Sequence, residues 1–192
     1  KRALVDEEGT VEWINGNMGS GVTMLYPCSI LRGRGSKSAS LGVAFAGKDQ
    51  FQDTGSKVIH LAPDTKSTIQ SKSISVDGGT ASYRGTVRVT KKAVNSSVAV
   101  ECDALLMDNR SVSKTSPKMK IENNETDITH EARVGTIGEE EIFYLQSRGL
   151  SVIEATRLAV AGFIEPIVKA LPLEYALELN RLIELEMEGS VG

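Results

Sequence analysis

Apolar positions in the first 137 residues come in short runs rather than at helical spacing. Val22–Leu25, Leu41–Ala46, Val58–Ala62, Thr68–Val76, Tyr83–Val89 and Val98–Leu106 are alternating or continuous apolar stretches. Each reads as a strand. Gly33-Arg34-Gly35, Gly47-Lys48-Asp49, Pro63-Asp64 and Asp77-Gly78-Gly79 separate them as turns. No helical period interrupts the series, so βαβ units are not expected. A sandwich, a barrel and a β-solenoid all accommodate this pattern. The hydroxyl-rich faces of Thr68–Ser75 and Thr86–Thr90 suit stacked ladders of a solenoid better than an aromatic sandwich core.

The pattern changes near Gly138. Glu139–Ser147 places Ile142, Leu145 and Gln146 at helical spacing, and Gly149 follows as a C′ residue. Ser151-Val152-Ile153-Glu154 is a capping box that opens a helix toward Gly162. Pro166 is expected to kink or restart the next helix. Pro172 is expected in the first turn of a last one, whose apolar stripe is Leu173, Ala176, Leu177, Asn180, Ile183 and Met187. Charge follows the same division: residues 139–192 carry ten acidic and four basic side chains, against 18 basic and 15 acidic before them. The reading is a β-rich unit over 1–137 followed by an acidic helical unit over 138–192.

Composition removes several function classes. At 40% hydrophobic and 24% charged residues, the chain can bury a core. Aromatics at 5% and a net charge of -3 argue against a base-stacking or general polyanion binder. The longest nearly apolar run, Leu158–Ile164, is far short of the ~18 residues that span a bilayer. Two Cys cannot build a disulfide framework and fit a reducing compartment. The chain begins at Lys1 with no signal-like segment, so a fragment or processed segment is expected.

Few residues are candidates for chemistry. Strand parity puts Cys102 on one face with Val98, Val100 and Ala104, where a free thiol is ordinarily a small buried hydrophobe. Cys28 follows Pro27 in a turn-like stretch. In Ile128–Val134, parity aligns His130 with Ile128, Ala132 and Val134, while Glu131 shares a face with Thr129 and Arg133. A hydrogen-bonded core histidine and a surface Glu131–Arg133 pair are the plain alternatives there, and His60 has the same plain alternative. No CxxC pair, HExxH, P-loop or GxSxG motif is present. A β-helix polysaccharide enzyme would need an acidic groove and usually secretion, and neither is evident.

Several stretches resemble the SufB/SufD family of SUF iron–sulfur cluster assembly proteins. They are Ser40–Lys48, Ser71–Ser75, Ser82–Gly85, Cys102–Leu106, His130–Ala132, Phe143–Gly149 and, most specifically, the tail from Glu174 to Gly192. The resemblance runs through nearly the whole chain and covers the C-terminal part, less than half, of a full-length member. It implies a right-handed parallel β-helix followed by a C-terminal helical domain. It also implies a scaffold rather than an enzyme with its own turnover, building a transient iron–sulfur cluster in the cytoplasm or, in a eukaryote, a plastid-type stroma. The implied partners are a SufC-type ATPase docked on the helices, a SufD-type homologue or a second copy paired through the β-helix, and a sulfur donor protein. Neither nucleic acid nor membrane insertion is expected.

The resemblance also assigns residues. Cys102 matches the family's sulfur-accepting cysteine, Glu131 a proposed cluster ligand, and His130 stands beside it. They rank in that order. A thiolate is both sulfur acceptor and iron ligand, and carboxylate or imidazole in place of further thiolates gives the weaker ligation that a releasing scaffold needs. Parity sets His130 and Glu131 on opposite faces, so both can reach one metal only at a strand end or bulge. A flavin, FAD, is implied by the family alone and is not expected to bind this chain. Thr115-Ser116-Pro117 lacks the aromatic expected before its proline. An alternative function is an interaction module that dimerises and docks the ATPase without building a cluster.

Overall fold

The computed structural model describes residues 1–190, with side chains through Met187. Two parallel sheets form the β-rich part. The first holds β1 (Arg2–Val5), β3 (Val22–Leu25), β4 (Cys28–Leu31), β6 (Phe51–His60), β8 (Thr80–Val89), β10 (Val112–Thr115) and β11 (Lys118–Ile121). The second stacks β2 (Thr10–Asn17), β5 (Lys37–Ala46), β7 (Lys66–Ser75), β9 (Ser96–Leu106) and β12 (Thr126–Thr136), with β2 and β12 at its edges. The chain alternates between the sheets, coil upon coil. Lys37 pairs with Lys66, and Lys66 with Ser97. One coil therefore takes about 30 residues, a solenoid period. The molecule is a β-solenoid of about five turns.

Corners repeat as well. Glu8, Asp64 and Asn95, which precede strands of the second sheet, and Asp49 and Asp77, which precede strands of the first, all adopt left-handed φ between 54° and 60°. Asp and Asn tolerate that conformation by bonding the local backbone. Gly79 is required for a different reason: a Cβ there would lie 2.1 Å from the Ala46 carbonyl oxygen of the coil below.

Inside the solenoid, inward side chains alternate with outward ones. The interior packs Leu31, Val58, Ile69, Val87, Val89, Val98, Val100 and Cys102. Hydroxyls share it. Ser38 bonds Ser29 at 2.7 Å, Ser40 bonds Ser56, and His60 holds Thr65 and Ser67 at 2.8 and 2.9 Å. These hydroxyl contacts lie outside Thr68–Ser75 and Thr86–Thr90, the two strand faces from which ladders were expected.

Three helices follow: α1 (Glu139–Ser147), α2 (Val152–Val168) and α3 (Leu173–Ser190). Ser151 and Glu154 form the complete capping box of α2, and Gly149 closes α1 at φ +94°. Helices α2 and α3 lie against the outer face of the second sheet. Val43, Phe45, Ile74 and Leu105 from the strands pack with Val160, Ile164 and Ile167 of α2 and Leu179, Ile183 and Met187 of α3.

The helical expectations need three corrections. Pro166 does not restart a helix, since α2 runs through it to Val168. Ile167 is buried in the shared core and the Lys169 N–H donates to the Glu165 carbonyl, so helical bonding continues past the proline. Pro172 precedes α3 and accepts its first backbone bond from Ala176. The stripe of α3 is rotated: Leu179 joins Ile183 and Met187 inside, whereas Leu173 and Leu177 face solvent. The sheet beneath selects the face, and a periodicity with leucines on several sides leaves that choice open. Strands β1, β2, β4, β10 and β11 are additional to the predicted runs, and β5 to β9 extend beyond them at their N-terminal ends. Residues Glu188–Gly192 of the family-like tail lie outside the described side chains.

Candidate functional site

Cys102 sits midway along β9 with its side chain inside the solenoid, 5% exposed. Its inward file is set by register: Asn15 pairs with Gly42, Gly42 with Ser71, Ser71 with Cys102, and Cys102 with Ala132. Small and polar residues thus lead along the lumen to the thiol. Burial pushes the Cys102 thiol up to about 12, and the carboxylates of Asp103 and Glu101 on the outer face add to the rise. In this chain by itself the sulfur is a neutral thiol at pH 7.

The outer face beside it is strongly charged. Asp103 is held by Lys72 at 2.8 Å, and the same ammonium lies 4.6 Å from the Phe163 ring of α2. Glu101 accepts from Gln70 at 3.2 Å and faces Arg133 at 3.9 Å. Arg133 pairs at 2.7 Å with Glu131. A groove of about 450 Å³ runs over Thr68, Gln70, Glu101, Thr129 and Glu131.

β12 is the last strand of its sheet, and its register with β9 is continuous from Thr126 to Thr136, with no bulge. His130 therefore lies opposite Val100, on the lumen face and two positions from the partner of Cys102. Glu131 lies opposite Glu101, on the outer face. The fold brings Cys102 and His130 to the same face of neighbouring strands and keeps Glu131 on the other side. His130, Ala132 and Val134 are exposed because no further coil covers them. Among the described residues, no three His, Cys, Asp or Glu side chains converge as a metal cage.

One lumen group went unnoticed in the sequence. Tyr83 of β8 is 7% exposed; burial pushes its phenol up, and Ser56 is its hydrogen-bonding neighbour. With Ser40, Ser56, Gln70 and Ser71 it lines a cavity of about 20 Å³, room for one water. Strand parity through Tyr83, Val87 and Val89 was the available signal. His60 and Cys28, the remaining candidates, are buried away from this point: His60 is saturated by hydroxyls and Cys28 begins β4.

The family model for the SUF system FeS cluster assembly SufBD core domain matches residues 1–163. The chain belongs to the SufBD core family. It is 54% identical over all 192 residues to the iron–sulfur cluster assembly protein SufB of Bacillus subtilis. It is equally similar to a SufBD family protein of Staphylococcus saprophyticus, and 53% identical to one of Staphylococcus epidermidis. In each case the match covers 41% of the relative's length. No described helix is long and apolar enough to cross a membrane. The lumen cavity at Ser71 and Tyr83 is far smaller than the ~300 Å³ or more of an organic-cofactor site. That cavity has no room for the flavin that the family suggests.

Proposed function

We propose that this SufBD chain is a scaffold component on which a nascent iron–sulfur cluster is built where two solenoids meet. It works without turnover of its own and in a reducing, cytoplasm-like compartment. The observation that carries this reading is the open β12 edge next to Cys102. An eleven-residue edge strand with exposed lumen-face side chains is a template for pairing with another chain. A second copy, or a SufD-type homologue, seated there would cap the lumen and add its own donors to those of this chain.

The ligand roles follow from the faces. Cys102 supplies the sulfur acceptor and a thiolate, and His130 is its nearest donor on the same face. Glu131 joins from around the free edge once Arg133 releases it. Iron must displace the thiol proton, so loading becomes easier as pH rises. The cluster is cargo here, and a mixed thiolate, imidazole and carboxylate set holds it loosely enough to pass on. Exposed Phe143 and Tyr144 on α1 and Val152, Ile153 and Leu158 on α2 offer the apolar surface for a SufC-type ATPase, whose hydrolysis would rearrange the seam. A sulfur donor protein would supply Cys102.

Anaerobic reconstitution with iron and sulfide in the assembled complex tests the scaffold role. Cys102→Ala should abolish the visible-region absorbance of the cluster while circular dichroism stays unchanged. Unimpaired cluster yield in that variant would remove Cys102 from the site. The neutral, buried thiol favours one competing reading, a module that only dimerises and docks the ATPase. A verified dimer of the unaltered chain that gains no absorbance would establish that reading instead.

A further inference from the structure

The outer face of the first sheet carries no helix, since α2 and α3 pack on the second. Strand parity turns Lys57 of β6, Arg84 and Arg88 of β8, Lys114 of β10, and Lys118 and Lys120 of β11 outward on it. All six are exposed, in a chain whose net charge is -3. Glu122 takes Arg88 and Lys120, at 3.1 and 3.3 Å. Lys57, Lys114 and Lys118 have no ion-pair partner among the described residues.

Arg84 is the fixed point of this face. The carboxylate of Asp53, 1% exposed, accepts from its Nε at 3.0 and 3.1 Å and from its Nη2 at 2.9 Å. Tyr26 and Ser82 are further hydrogen-bond partners of Asp53. The Tyr26 ring lies over Gly55, where an added Cβ would meet it at 3.1 Å. Buried Asp53 thus holds the guanidinium in place before any partner arrives, which spares the entropy of ordering it.

Register sets the unpaired lysines around that point. Lys57 and Lys118 both lie opposite Thr86, and Lys114 lies opposite Ser82. Each is therefore one strand and two residues from Arg84, about 8 Å between Cα atoms. Drawing three ammonium groups onto one small anion would crowd like charges. Carboxylates at alternate positions of an extended segment, about 6.6 Å apart, meet them in turn. Protection of a sheet edge accounts for lysines on β10 and β11, but not for Lys57 inside the sheet or for an arginine pinned by a buried acid. Exposed Met24 and Tyr26 adjoin the cations, apolar surface that a protein partner buries and a phosphate backbone does not.

We propose that the outer face of the first sheet is a docking surface for an acidic segment of a partner protein, anchored on Arg84 and flanked by Lys57, Lys114 and Lys118. Contact of this kind is steered by charge, quick to form and sensitive to salt. It lies on the sheet that does not contain β12, so it leaves the β12 edge free. The inference does not depend on where a cluster is built.

Fluorescein-labelled poly-L-glutamate is the probe, and its anisotropy with the full chain is followed at low and at high salt. Lys57→Glu, Lys114→Glu and Lys118→Glu combined should weaken binding about tenfold or more at low salt, with a smaller difference at high salt. Lys37→Glu with Lys66→Glu, exposed neighbours on the second sheet, should leave binding within about twofold of the parent. Arg84→Lys keeps the charge but loses the pinned planar group, and should bind several-fold more weakly. No binding at low salt, or equal losses from the two sets of lysines, would overturn the docking surface. An Arg84→Lys chain that binds as the parent does would overturn the anchor. Tighter binding to a DNA duplex or to phosphatidylserine vesicles than to poly-L-glutamate would overturn the protein partner.

Discussion

His60 shows what one inward side chain requires of this lumen. Both of its ring nitrogens are engaged, by Thr65 and Ser67, and it is fully buried. Burial pushes its pKa down to about 4, from an ordinary value of 6.5. The fold therefore holds the neutral imidazole, while the unfolded chain takes a proton as pH falls below 6.5. Stability from this residue is complete above pH 6.5 and is lost progressively toward pH 4, by roughly 3 kcal/mol in full. Urea unfolding at pH 7 and pH 4.5 should show most of that loss in the unaltered chain and much less in His60→Asn. Parallel losses in the two proteins would assign the acid sensitivity to other groups. Cys102 is the contrasting residue: a buried neutral group too, yet placed one strand from an open edge.

At the level of elements, the coil corners impose the hardest steric demands. Gly79 sits where the coil below brings the Ala46 and Gly47 carbonyls to 2.1 and 2.5 Å of any added Cβ. Backbone cannot yield as a flexible side chain does, so Gly79→Ala should cost about 2–3 kcal/mol or more. In a domain of this size that lowers the melting temperature by at least ~5 °C. Gly42→Ala, with open space around it, should stay within about 1 kcal/mol of the parent. A melting scan of the two variants decides, and equal stabilities would mean the coils are looser than drawn. The same contrast explains what was legible beforehand. Turn residues such as Asp77-Gly78-Gly79 and the Ser151–Glu154 box are local chemistry, and they appear where the pattern put them. The four-residue strands β1, β4, β10 and β11 are too short to announce themselves, and exist because neighbouring coils pair with them. The face that α3 buries was likewise decided by Phe45 and Leu105 beneath it, residues far away in the sequence. Cys102 and His130 on one face were readable from parity, but the depth of the thiol and the small cavity lined by Gly42, Ser71 and Tyr83 depend on packing between coils.

For the whole molecule, the two proposed contacts use opposite kinds of surface and can be separated. The β12 edge offers backbone hydrogen bonds plus an exposed apolar side chain at Val134, 62% exposed, in line with Ala104 of the coil below. The helices offer apolar side chains without a free edge, led by Phe143 at 72% exposure. Removing the helices outright is a poor test, because Phe45, Ile74 and Leu105 of the solenoid would lose their cover. Point changes on exposed side chains avoid this, since surface substitutions usually shift stability by no more than ~0.5 kcal/mol. Val134→Lys sets a charge where a second solenoid must seat, a device that protects edge strands from pairing. It should weaken dimerisation at least tenfold in analytical ultracentrifugation while leaving ATPase capture intact. Phe143→Glu should do the reverse, losing the ATPase in a pull-down while sedimenting as a dimer. If Val134→Lys instead released the ATPase and spared the dimer, the seam would not lie at β12, and the route by which Cys102 gains its missing donors would have to be sought on another face.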